Sequence, residues 1–131
     1  MKPQIRTWLY FLIIIGLLSS ELTSCKKDSN SNDFAGVIAG TYTGTITATG
    51  IGTTSSSTAI TRVNDTIINF AVTVSGSSRP FSGIAVSNPS ANTYSLTLSD
   101  SGGSLTGTEA GNTLNWTFTS GSETDVFTGT K

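Results

Sequence analysis

Cys25 is the only thiol in this chain, and the chain has no histidine. These two facts decide most of the available chemistry. Nucleophile–His–Asp catalysis needs an imidazole beside the nucleophile, so it is excluded. Zinc and copper favour imidazole and thiolate ligands, so no metal site of that kind is expected. A single cysteine also rules out an intramolecular disulfide. Carboxylates remain. Glu123 and Asp125 share a strand face, and Glu109 shares parity with Leu105. A glycosidase needs two acids facing across a cleft, and solvation at a turn or rim is the expected role here. Asp100 is followed by Ser and two Gly, too few acids for a calcium loop. No Gly-rich loop leads into a helix to cradle phosphate. The expectation is a non-enzyme without a cofactor.

Three side chains are candidates for holding a ligand: Arg62, Tyr42 and Trp116. If Ile60 points inward, Arg62 does too, near a strand end, where it would pair a ligand carboxylate. The alternative is an Arg62 that reaches the rim or pairs Asp65. Trp116 sits in the apolar parity of its strand, which points to the core, with sugar stacking as the alternative. Arg79 precedes Pro80 and is expected in a solvated turn.

Charge narrows the partners. The chain has a formal net charge of -1. From Phe34 to Lys131 there are three basic side chains (Arg62, Arg79, Lys131) and five acidic ones. No basic patch exists to hold a nucleic-acid backbone. The only adjacent basic pair is Lys26-Lys27.

That pair follows an export-like segment. Lys2 and Arg6 precede an uninterrupted apolar run, Trp8–Leu18, which Ser19, Ser20 and Glu21 end. The run is too short for the roughly 20 residues of a spanning helix. The order positive, apolar, polar is that of a signal peptide. Leu22-Thr23-Ser24-Cys25 resembles the lipobox of bacterial lipoproteins. That resemblance implies cleavage between Ser24 and Cys25 and a diacylglyceryl thioether on Cys25, hence a membrane partner. Lys26-Lys27-Asp28 after the cysteine resembles lipoproteins of the Bacteroidetes and implies an outer-membrane, cell-envelope location. Residues 1–24 are then a cleaved signal, 25–33 the lipidated cysteine and a polar tether, and 34–131 one folded domain. The eight tether residues 26–33 reach about 28 Å fully extended.

The folded part reads as all-β. Tyr42, Gly44, Ile46 and Ala48 share one parity opposite Thr41, Thr43, Thr45 and Thr47. Ile68–Val74, Tyr94–Leu98 and Leu114–Phe118 alternate in the same way. Such period-2 patterns are half-buried strands. Turn residues separate them, and no stretch after Cys25 has a helical period. Eight strands follow, near 41–49, 56–63, 66–74, 80–87, 93–99, 104–109, 113–119 and 125–130. Every connection is short enough for a hairpin, which gives an up-and-down antiparallel meander. An apolar residue followed by Thr or Ser and then Gly recurs at Tyr42, Phe81, Leu105 and Phe127. A glycine beside each large residue lets strands coil and close into an eight-stranded barrel; a β-sandwich is the alternative. The inward residues expected are Tyr42, Ile46, Ile60, Ile68, Phe70, Val72, Val74, Ile84, Val86, Tyr94, Leu96, Leu98, Leu105, Leu114, Trp116, Phe118 and Phe127.

Gly40-Thr41-Tyr42 on the first strand and Phe127-Thr128-Gly129-Thr130 on the last resemble the calycin-like (lipocalin-like) lipoprotein domains of the Bacteroidetes. The resemblance implies a barrel that binds a small apolar molecule. Two functions are carried forward. One is a tethered barrel that binds a small apolar or anionic ligand at the envelope. The other is a non-enzymatic structural or interaction protein that presents its surface to a protein partner. Asp65-Thr66-Ile67 also resembles the O-glycosylation motif of Bacteroidetes secreted proteins, with Thr66 as acceptor.

Overall fold

The computed structural model describes residues 32–131. Ser24, Cys25 and the expected signal and lipidation sites lie outside the described residues.

The described chain is a short helix followed by eight strands. The helix, α1, is Phe34–Ile38. The strands are β1 (Gly40–Ala48), β2 (Gly52–Asn64), β3 (Ile67–Val74), β4 (Ser77–Ser90), β5 (Thr93–Asp100), β6 (Gly103–Ala110), β7 (Thr113–Ser120) and β8 (Glu123–Thr130). Each pairs antiparallel with the next, and β1 pairs with β8 to close a barrel. The up-and-down meander is therefore a closed barrel and not a sandwich. Alternation is what drives it. β-branched Thr packs well on a pleated surface and the residues between are large and apolar, so each strand has one face to bury. Hairpin loops are tight. Gly111-Asn112 joins β6 to β7 with φ of 56° and 69° at its two residues, the handedness that matches strand twist.

The interior is filled through its middle and at one end. Trp116 is 2 % exposed and stacks on Phe127 at 5.6 Å between ring centroids. Phe70 and Phe81 each lie 6.2 Å from Trp116. The Trp116 indole N–H donates to the Thr58 hydroxyl at 3.1 Å, deep in the core. Glycines give these rings room. A Cβ on Gly107 would meet Trp116 Cβ at 2.8 Å, and one on Gly129 would meet Phe127 Cζ at 2.5 Å.

Four expectations need correction. First, α1 exists. It is a five-residue turn, too short for a period to show, and Ala35 and Ile38 are fully buried in the barrel end. Its N-cap is Asp33, read from sequence as the last tether residue; the Asp33 carboxylate accepts from Gly36 N. Second, Phe81 is inside although it is three positions from the inward Ile84. The register of β3 against β4 shifts between Ile68 and Phe70. Gly83 takes up the extra residue with φ of 76°, and its N–H donates to Asn69 Oδ1. The Phe81-Ser82-Gly83 triplet is thus a bulge, whereas the other three Gly are spacers. Third, Arg79 is in β4, not in a turn. Fourth, Arg62 keeps the inward parity, opposite the buried Ile68, but it stands at the plugged end, where Asp33 and Asp65 take its guanidinium, and not at an open mouth.

Candidate functional site

The two ends of the barrel differ. α1 seals one of them. Ala35 N donates to Asp65 O at 2.9 Å, and the Tyr42 hydroxyl donates to Ile38 O at 2.9 Å. The Lys131 ammonium donates to Val37 O and Ala39 O, where the short helix ends. Arg62 Nε donates to Asp33 Oδ1 at 2.9 Å, and the same guanidinium pairs Asp65. Arg62 is therefore the clasp between the α1 cap and the β2–β3 turn. The alternative read from sequence, pairing with Asp65, is the geometry observed.

Glu109 lies at this sealed end, 5 % exposed, and accepts from Asn112 N at 3.0 Å to close the β6–β7 turn. Tyr42 is beside it. Burial first, then the Glu109 charge, hold the Tyr42 phenol well above its ordinary range. Tyr42 is thus a buried structural phenol under the plug, remote from the opposite opening.

That opening is a cup of about 330 Å³, lined by Ile46, Val72, Val74, Phe81 and Trp116 below and by Arg79, Glu123 and Asp125 at the rim. Cup size falls at the lower end of the roughly 300–1,000 Å³ usual for small-molecule sites. Arg79 faces Val72 across the β3–β4 ladder, so it has the inward parity of Phe81. Its guanidinium lies 4.9 Å from the Phe81 ring centroid and 4.6 Å from that of Phe118. Arg79 Nη1 is 3.6 Å from Asp125 Oδ2. Because β4 and β8 are four strands apart in a ring of eight, this ion pair spans the mouth.

Of the sequence candidates, the structure brings only Trp116 to the cup, as part of its floor. The cation that Arg62 was expected to supply at a mouth is supplied by Arg79 instead. Sequence held a signal for it: Arg79 is two residues from Phe81, so it shares that face. The bulge between Phe81 and Ile84 hid this, because parity counted back from Ile84 turns Arg79 outward. Thr66 is exposed in the β2–β3 turn, its N–H donating to Asn64 Oδ1. Asp100 accepts from Gly102 N at 2.7 Å and closes its own turn. Among the described residues, no group of three acidic or thiol side chains could hold a metal ion. No family model, curated protein or solved structure matches this chain.

Proposed function

We propose that this protein is a lipid-anchored envelope protein whose barrel binds a small molecule with an apolar body in its open mouth. One observation carries the reading: one barrel end is plugged and clasped, while the other opens onto a cup with an aromatic floor and a charged rim. A protein with only a structural role has no need of that asymmetry. An eight-stranded up-and-down barrel with a cup at one end is also compatible with a calycin-like fold. The anchor is supported by Leu22-Thr23-Ser24-Cys25, whose resemblance to a lipobox implies a lipid on Cys25 that would tether the barrel near a membrane. The test is native mass spectrometry of the full chain, made in a bacterial host and released from detergent in the spectrometer. A co-purifying small molecule, lost in a Trp116→Ala variant, is expected. Bare protein from several unrelated hosts would overturn the reading.

A second reading, a non-enzymatic interaction protein, draws on the outer wall. The outward residues of β1 are Thr41, Thr43, Thr45 and Thr47, and in register beside them stand Thr128 and Thr130 of β8 and Thr53, Ser55 and Ser57 of β2. This wall carries hydroxyls and no charge, whereas a solvated surface usually has about a quarter or more charged residues.

A further inference from the structure

We propose that the mouth recognises a zwitterion, an α-amino acid with an apolar side chain, by opening the Arg79–Asp125 pair and taking one charge of the ligand on each partner. The proposal rests on the reading of the mouth as a ligand site and adds the class of ligand.

The pair has the geometry of an unfinished interaction. At 3.6 Å it is an ion pair without a hydrogen bond. Among the described residues the Arg79 guanidinium donates no hydrogen bond, so its five N–H groups are available. Two aromatic rings nevertheless hold it over the cup. A guanidinium fixed by stacking and unspent in hydrogen bonding is prepared for a planar, bidentate oxyanion such as a carboxylate. Arg79 is about half exposed, so an incoming carboxylate can reach its guanidinium from the solvent side, whereas Asp125 is 21 % exposed and set into the wall.

Charge decides between ligand classes. A simple carboxylate that took Arg79 would leave Asp125 facing it, anion to anion, in a partly desolvated site. A simple amine that took Asp125 would meet the guanidinium. A ligand carrying both charges on neighbouring atoms keeps every charge paired: its carboxylate on Arg79, its ammonium on Asp125. Glu123 on the same rim supplies a second acceptor for the ammonium. The ligand's side chain then enters the cup over Ile46, Val72 and Trp116.

The test uses the full chain in lipid nanodiscs, with empty nanodiscs as blank, and isothermal titration calorimetry. The probes are phenylalanine, 3-phenylpropionate (which lacks the ammonium) and 2-phenylethylamine (which lacks the carboxylate). The corresponding leucine, 4-methylpentanoate and 3-methylbutylamine set covers a smaller side chain. Each amino acid should bind about tenfold tighter than either of its truncated analogues, the worth of one charge-assisted hydrogen-bonded contact. Arg79→Gln should erase the advantage over the amine and keep the advantage over the acid. Asp125→Asn should do the reverse. Equal binding of all three probes would overturn the zwitterion and leave the ligand site standing. A truncated analogue that bound tightest would overturn it in favour of a single charge. No binding by either set would overturn the zwitterion, while a co-purifying molecule of another kind would still uphold the ligand site.

Discussion

Thr58 offers the core little apolar surface, yet it is fully buried, because the Trp116 indole N–H has its acceptor there. Replacing it with the isosteric Val removes the acceptor and strands the donor. Thr58→Val should cost about 1–3 kcal/mol, read from urea unfolding followed by Trp116 fluorescence; an unchanged midpoint would show that the indole finds another partner. Tyr42 makes a second prediction. An unfolded tyrosine ionises near pH ~10, but in the barrel burial and Glu109 hold the phenol above that. The folded state therefore keeps a proton that the unfolded state loses. This contribution is complete below pH ~10 and declines as pH rises from there toward the folded value. Urea midpoints measured between pH 8 and pH 11.5 should fall at the alkaline end, and Tyr42→Phe should flatten that fall. At this scale the sequence was legible wherever parity held without interruption: Tyr42, Trp116 and Phe127 are inside as read. Parity held for Arg62 too, opposite buried Ile68, but it could not tell which barrel end is closed: Asp33 and Asp65 take the guanidinium at the plug.

Elements were legible to the extent that they repeat. Most strands could be read because they alternate over several residues; β2 alternates poorly and is legible from the turn signals that flank it. β2 begins at Gly52, earlier than its weak alternation suggested, since Ser56 and Thr58 are polar residues on the buried face. The plug helix has no period to read and one cap, Asp33, which resembled the tether before it. Glycine separates two kinds of strain at this scale. A Cβ on Gly44 would lie 1.9 Å from Thr128 O, inside the β1–β8 seam. Gly44→Ala should therefore cost well above the roughly 1–3 kcal/mol of ordinary overpacking, because the seam that closes the barrel must part. A Cβ on Gly83 meets nothing within 4 Å, and only its φ of 76° resists substitution. Gly83→Ala should cost about 1–2 kcal/mol. Thermal unfolding by circular dichroism ranks the two, and the reverse order would contradict the bulge and seam assignments.

At the scale of the whole barrel, one end is plugged by α1 and the other opens onto a cup. Among the described residues, one closed sheet, one core and the contacts of the α1 plug hold the fold, with no intramolecular disulfide to assist. Anchoring belongs to this scale. The mature chain extracted from membranes should have the mass of Cys25–Lys131 plus a diacylglyceryl group, with or without an added acyl chain; a bare polypeptide mass would remove the anchor from the account. Intact-mass spectrometry in detergent decides it. The fold of the barrel was legible in the sequence, but the difference between its two ends was not. That difference depends on a five-residue plug and a one-residue bulge, neither of which leaves a pattern.

The chain enters the barrel through Asp33, at the plugged end. If Cys25 carries the proposed lipid, its leash joins the vessel at the sealed base. The gape then lies at the end away from the attachment point, and cargo reaches it most directly by diffusion from the aqueous side.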